Sequence, residues 1–192
     1  MGKIINIDGG KKMYNDISQV LATKEIISQK VEELGRRISE DYIGKDLIVV
    51  GVLNGAFIFM ADLIRHITIP MQIDFISVSS YGKSTMTSGV VKITKDTDIS
   101  MENKSVVIIE DIVDTGLTLR YIKDIFKTRN PESVKVCTIF DKPSRRKVDI
   151  EIEYPGICVP DKFIVGYGLD YAGRYRNLPD ICVLKEDIYA NC

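Results

Sequence analysis

Apolar side chains recur at three- and four-residue steps from Ile27 through Val31 and Leu34 to Ile38, the spacing that lines one face of a helix. Thr23 stands where an N-cap belongs, so the pattern predicts an amphipathic helix starting after Thr23 and ending near Gly44. Gly35 interrupts it and makes its stability depend on packing. The period then changes. Residues 47–53, Leu-Ile-Val-Val-Gly-Val-Leu, are continuously apolar and rich in β-branched side chains, which predicts a strand covered on both faces, as in parallel sheets. Asn54-Gly55 predicts a turn and residues 56–66 a second helix. Further strands are predicted at 71–79, 106–109 and 134–140, with a late one at 181–184. A helix from Leu117 to about Lys127 is closed by Asn130-Pro131. Strands alternating with helices predict an α/β fold, a mainly parallel central sheet flanked by helices, with ligands bound beyond the carboxyl ends of its strands.

The stretch from Tyr81 to Ser100 is rich in Ser, Thr, Gly and Lys, with a weak strand signal only at 90–93. It is too long for a passive connection and predicts a mobile flap over the site. No repeat or linker divides the chain, and 192 residues suit a single domain spanning 1–192. Lys plus Arg number 26 against 27 Asp plus Glu, a net charge of −1, so no global field draws the chain to nucleic acid or to an acidic membrane surface. Any anionic ligand must be held locally. The N-terminal segment lacks an apolar core of signal-peptide length and no apolar run approaches a membrane span, which predicts a soluble, cytoplasmic protein. Cys137, Cys158, Cys182 and Cys192 are widely spaced and predict reduced thiols, the first three as small core residues. The single histidine, His66, has no Ser or Cys partner that would make a triad.

Two motifs fail on inspection. Gly82-Lys83-Ser84 imitates the end of a phosphate-binding P-loop, but the motif's first glycine would fall on Ser77. Gly166-Tyr167-Gly168 opens a dinucleotide fingerprint whose third glycine position is Tyr171. The informative run is Val106-Val-Ile-Ile-Glu110-Asp111-Ile-Val-Asp114-Thr115-Gly116-Leu117-Thr118. An apolar strand runs into adjacent carboxylates, then a third, then a Thr-Gly-x-Thr turn opening a helix. Thr115, Gly116, Leu117 and Thr118 supply backbone N–H groups, hydroxyls and the positive end of a helix dipole, all suited to a phosphate. Carboxylates beside an anion site look contradictory unless one ligand carries both a phosphate and a vicinal diol with a magnesium ion, since carboxylates accept from hydroxyls and bind hard cations. A ribose 5-phosphate meets that description. Haloacid-dehalogenase-like phosphatases need Asp-x-Asp-x-Thr, whereas Asp111 and Asp114 lie three apart.

At these residues the sequence resembles the phosphoribosyltransferases, whose phosphoribosyl pyrophosphate (PRPP) signature is an apolar strand, two acids and an Asp-Thr-Gly-x-Thr loop. Over about residues 15–188 it is similar to the hypoxanthine-guanine group: residues 50–57, Ser80-Tyr81, Asp141-Lys142, residues 160–171 and Arg176 fall in that family's order. The resemblance implies purine salvage, with hypoxanthine or guanine attacking PRPP to give a nucleoside monophosphate and pyrophosphate. It implies that Glu110 and Asp111 hold the ribose hydroxyls, directly or through Mg2+, that residues 114–118 cradle the 5-phosphate, and that Asp114 manages the purine's proton. It further implies Lys142 at the purine's 6-oxygen, Phe163 stacked on the base, Ile164 and Asp170 reading its other edge, and Asp170 near a second magnesium. Leu53, Asn54, Gly55, Ser80, Tyr81 and Arg176 would bind pyrophosphate, with the peptide after Leu53 able to be cis. Many relatives carry Lys where Asn54 stands, so a direct charge role for that side chain is not expected. A hood formed by the N-terminal segment and about residues 150–192, and a homodimer or homotetramer, complete the implication. Two other readings are an RNA-binding regulator on the same fold and a PRPP sensor without catalysis. The near-neutral charge speaks against the first, and intact Asp114, Lys142 and Arg176 against the second.

Overall fold

The computed structural model describes residues 13–80 and 91–190. Along the chain come β1 (Ile17–Ala22), α1 (Lys24–Asp41), β2 (Leu47–Leu53), α2 (Phe57–Leu63), β3 (Gln72–Ser80), β4 (Val91–Lys95) and β5 (Ser105–Val113). They are followed by α3 (Leu117–Lys127), β6 (Ser133–Asp141), β7 (Tyr154–Cys158), β8 (Ile164–Val165), β9 (Ile181–Leu184) and α4 (Glu186–Tyr189). Six strands form a central sheet in the order β4-β3-β2-β5-β6-β7. The pairs β2–β3, β2–β5, β5–β6 and β6–β7 are parallel, and β4 is antiparallel to β3.

The apolar run of β2 is explained by its two covered faces. Leu47 and Val49 pack with Ile27, Val31, Leu34 and Ile38 of α1 and with Phe59, Met60 and Leu63 of α2. Ile48, Val50 and Val52 pack on the other side with Leu119, Ile122 and Phe126 of α3. Each such side chain contributes about 1.5–3 kcal/mol when fully buried, which outweighs the roughly 1 kcal/mol that Gly35 costs the helix. Gly35 also has a packing reason, because a Cβ there would lie 2.5 Å from His66 Cβ. α1 stops at Asp41, short of Gly44, and α2 gives way after Leu63 to a 3-10 turn, Ile64–His66.

Several expectations need correction. β5 runs to Val113, beyond the predicted end at 109, because the ladder to β6 continues through Glu110↔Thr138 and Ile112↔Phe140 whatever the polarity of the side chains. The predicted flap is shortened. Residues 81–90 lie outside the described residues, but Val91–Lys95 is an edge strand and the segment after it is pinned. Asp74, buried beneath, accepts from the Asp98 and Ile99 amides at 2.7 and 2.9 Å. The late strand at 181–184 belongs to a separate three-stranded sheet, β1-β9-β8, with antiparallel pairing. β1, β7, β8 and α4 were not anticipated: β1 is half exposed and has no alternating apolar pattern, β7 contains Pro155-Gly156, β8 is two residues long and α4 is a single turn. Cys137 and Cys182 are buried, and burial raises both thiols, Cys182 to about 11. Cys158 is exposed at the end of edge strand β7 rather than in the core, and Cys192 lies outside the described residues. Among the described residues no helix is long and apolar enough to cross a membrane.

Candidate active site

Strand order reverses between β2 and β5: β2 leads outward to β3, and β5 in the other direction to β6. The crevice beyond the carboxyl ends of two such strands is where open α/β sheets bind ligands. Here it is flanked by the turn after β2 and by the acidic end of β5. The Leu53–Asn54 peptide is cis. A Cβ on Gly55 would lie 1.5 Å from Asp111 Oδ2, so only glycine lets that carboxylate rest on the turn. Gly168, at φ +99°, would place a Cβ 2.2 Å from the Gly55 carbonyl oxygen, so a second glycine loop closes on the first. Arg176 holds this loop: Nη1 donates to the Gly168 carbonyl at 2.5 Å, and Nη2 pairs with Asp170 Oδ1 at 2.7 Å. Leu53, Gly55, Glu110, Asp111, Asp170 and Arg176 thus line one cleft.

The electrostatics of that cleft are set by two buried, adjacent acids. Burial pushes the Glu110 carboxyl well above the usual carboxylate range, and Asp111 beside it adds to the rise. Burial also lifts Asp111 to about 6, against the pull of the Ile112 amide, which donates to it at 2.7 Å, and of Arg176. Glu110 Oε2 is buried without a hydrogen-bond partner. An acceptor stranded in this way costs about 1–3 kcal/mol, which a hydroxyl or a cation would relieve.

Immediately beyond, the chain leaves β5 through Asp114 and Thr115 and enters α3 at Gly116, whose left-handed φ of 81° turns it into the helix. The first amides of a helix have no partners within it and present its positive end, and no acidic residue occupies the first turn of α3. Glu110, Asp114, Thr115, Gly116 and Thr118 line a concavity there. The Leu117 side chain is exposed.

A wider cleft adjoins it, lined by Ile112, Asp114, Lys142, Phe163, Ile164 and Asp170, with Leu169, Arg145 and Tyr189 at its walls. Lys142 is buried, and its ammonium donates to the Lys162 carbonyl at 2.7 Å. Burial lowers its pKa, and the carboxylates of Asp114 and Asp161 oppose the fall. Arg145 Nε lies 2.8 Å from Asp114 Oδ1 and Nη1 lies 3.2 Å from Asp161 Oδ1. The first contact is an ion pair without hydrogen-bond alignment, for Asp114 Oδ1 has no aligned donor. Arg146 donates to the Asp114 carbonyl at 2.9 Å and pairs with Asp141.

The three adjoining clefts share residues: Glu110 and Thr118 border two, Ile112 and Asp114 two, and Asp170 two. The structure therefore brings most of the sequence-predicted residues onto one groove. Asn54 is exposed and lines none of the three. The backbone of Ser80 ends β3, paired with Val91, and Tyr81 lies outside the described residues. Sequence reasoning missed Arg145, Leu169 and Tyr189. The Arg145-Arg146 pair just after Lys142 was a legible signal, whereas Leu169 and Tyr189 carry none. Among the described residues no three His, Cys, Asp or Glu side chains converge on a ready-made metal cage. Glu110, Asp111 and Asp170 instead suit an ion that keeps water and arrives with phosphate oxygens, as Mg2+ does.

Residues 16–172 match the phosphoribosyl transferase domain family. A hypoxanthine-guanine phosphoribosyltransferase of Bacillus subtilis (strain 168) is 52% identical over 177 residues, 92% of this chain and 98% of that protein. The bifunctional protein TilS/HprT of Listeria monocytogenes serotype 4b is 50% identical over 185 residues, 96% of this chain, and the chain spans 28% of its length. A crystal structure of a hypoxanthine phosphoribosyltransferase from Staphylococcus aureus shares the fold with a TM-score of 0.89 and 46% identity, covering 97% of this chain and 99% of that one.

Proposed function

The chain belongs to the phosphoribosyltransferases, and within them to the hypoxanthine-guanine group, and from that premise we propose that it transfers the 5-phosphoribosyl group of PRPP to hypoxanthine or guanine. A purine nitrogen forms the new bond to the anomeric carbon as the bond to pyrophosphate breaks. The products are inosine or guanosine monophosphate and pyrophosphate. The observation that carries this reading is the unpartnered, buried Glu110 carboxylate oxygen beside Asp111, in the same concavity as Thr115, Gly116 and Thr118 at the start of α3.

In this reading the ribose hydroxyls donate to Glu110 and Asp111, and the amides and hydroxyls of residues 115–118 bind the 5-phosphate. Asp114 takes the proton that the purine loses, and its negative charge favours a cationic sugar carbon in the transition state. The Lys142 ammonium has spent one of its three donors on Lys162 and offers another to a purine 6-oxygen, which adenine lacks. Phe163 stacks on the base, with the backbone of Ile164 and Asp170 at its other edge. Arg176, together with the turn at Leu53, Asn54 and Gly55 and with Ser80 and Tyr81, takes the pyrophosphate. Mg2+ would be held by Asp170, Glu110 and Asp111 together with substrate oxygens, and would neutralise the charge of the leaving pyrophosphate. The β1-β9-β8 sheet forms the hood of a single-domain enzyme. A cytoplasmic location and a homodimer or homotetramer belong to the same proposal; sedimentation of the purified chain reads the second. The regulator and sensor readings are not favoured.

A spectrophotometric assay with PRPP, Mg2+ and each of hypoxanthine, guanine, xanthine and adenine tests the proposal. Turnover is expected with hypoxanthine or guanine, and Asp114→Asn should lower kcat by about 100-fold or more while sparing PRPP binding. Turnover with adenine alone, or with no base, contradicts the proposal, and full activity in Asp114→Asn removes that residue from its role.

A further inference from the structure

Phe163 stands at the entrance of β8, where the chain separates two packing environments. Ile164 turns into the main core with Val183 and Leu169, and Val165 into a second cluster with Leu184, Tyr175 and Cys182. Phe163 is 38% exposed, so the strand alone does not hold its ring. Two aromatic neighbours do. Tyr171 meets it edge-on at 5.5 Å and 89°, and Tyr189 lies flat against it at 4.8 Å and 23°. Both tyrosines, with Ile188, pack on the second cluster, whereas Asp114 and Lys142 reach the same cleft from the ends of β5 and β6.

The placement of Tyr189 is built into the backbone. The Leu184 amide donates to the Phe163 carbonyl at 3.0 Å and the Lys185 amide to the Asp16 carbonyl at 2.9 Å, which fixes the end of β9 beside Phe163. The chain then turns at once into α4, closed by the Ala190 amide donating to the Glu186 carbonyl at 2.8 Å, and this turn carries Tyr189 back over the Phe163 ring.

We propose that Tyr189 is a positioning residue for base binding: by stacking on the hood-side face of Phe163 it fixes that ring's orientation and leaves the opposite face to the purine, making a three-ring stack of base, Phe163 and Tyr189. The inference rests on the reading of Phe163 as the base's platform. It also gives α4, which contributes no group to the reacting atoms, a part in selecting flat heterocycles. The contact requires a flat ring and makes no use of the tyrosine hydroxyl.

Steady-state kinetics of Tyr189→Leu, Tyr189→Phe and Tyr189→Trp, with Phe163→Leu as the control, test it. Tyr189→Leu is expected to raise KM for hypoxanthine about three- to tenfold, the range an aromatic pair spans, with KM for PRPP and kcat at saturating base unchanged. Tyr189→Phe and Tyr189→Trp, which keep a flat ring, should retain the wild-type KM for the base, and do so even if Tyr189→Leu folds poorly. A wild-type or lowered base KM in Tyr189→Leu, or a Tyr189→Phe enzyme whose base KM rises, overturns the inference. If Phe163→Leu also leaves the base KM unchanged, the assignment of the base site falls with it; if Phe163→Leu raises that KM and Tyr189→Leu does not, the platform stands and the support by Tyr189 alone is refuted.

Discussion

Glu110 shows what a candidate ligand-binding residue costs in stability. Its carboxyl is crowded by protein and by Asp111, and burial pushes both acids upward, Asp111 to about 6. Each folded-state pKa lies above its unfolded value, so the folded protein binds these protons more tightly than the unfolded chain. Their contribution to stability is full at low pH and is lost as pH rises through the folded values. Without ligand, Glu110→Gln should therefore be more stable than wild type at pH 7.5 by about 1 kcal/mol, the lower end of what a buried acceptor without a partner costs, and the gain should shrink toward pH 5. Urea unfolding at the two pH values reads this; a Gln variant less stable than wild type at pH 7.5 contradicts the account. The acids themselves were legible in the sequence, because two adjacent carboxylates rarely end an apolar strand without a reason. Their missing hydrogen-bond partner was not, since it depends on the turn at Gly55 and on Arg176, both brought near by the fold.

Among the elements, α1 holds the clearest contest between local preference and packing. Replacing Gly35 with Ala would favour the helix by about 1 kcal/mol, but the new methyl would stand 2.5 Å from His66 Cβ and 2.9 Å from its carbonyl carbon, an overlap with backbone that costs about 1–3 kcal/mol. The clash wins, and Gly35→Ala is expected to lower the urea midpoint; a raised midpoint would show that the 3-10 turn yields freely. The helices α1, α2 and α3 and the buried strands β2, β5 and β6 were readable because their apolar period is set by what covers them. β1 and β8 were not, because a short, half-exposed strand in a small antiparallel sheet owes its form to the partner strand β9 rather than to its own pattern. The edge strand β4 was mistaken in large part for flap because its polar composition conceals its pairing with β3, and the segment behind it because nothing in its own pattern shows the anchoring by Asp74.

At the scale of the molecule, a parallel sheet that reverses order between β2 and β5 opens one crevice, and the chain fills its rim with three kinds of chemistry. Acids come from β5, open amides from the start of α3, and a buried ammonium from the end of β6. Ile164, Val183 and Leu184 of the smaller sheet line the same groove, and Arg176 borders its acids. This convergence follows from topology, so the sequence revealed the parts by their motifs while their common groove, and the arrival of Arg145 and Tyr189 in it, waited on the fold. The central claim is that the end of β5 and the start of α3 together hold a ribose 5-phosphate, and a crystal structure of the protein with bound inosine monophosphate tests it most directly. The phosphate should accept from the amides of residues 115–118 and the ribose hydroxyls should donate to Glu110 and Asp111; a nucleotide lodged elsewhere, with this groove vacant, would contradict the account.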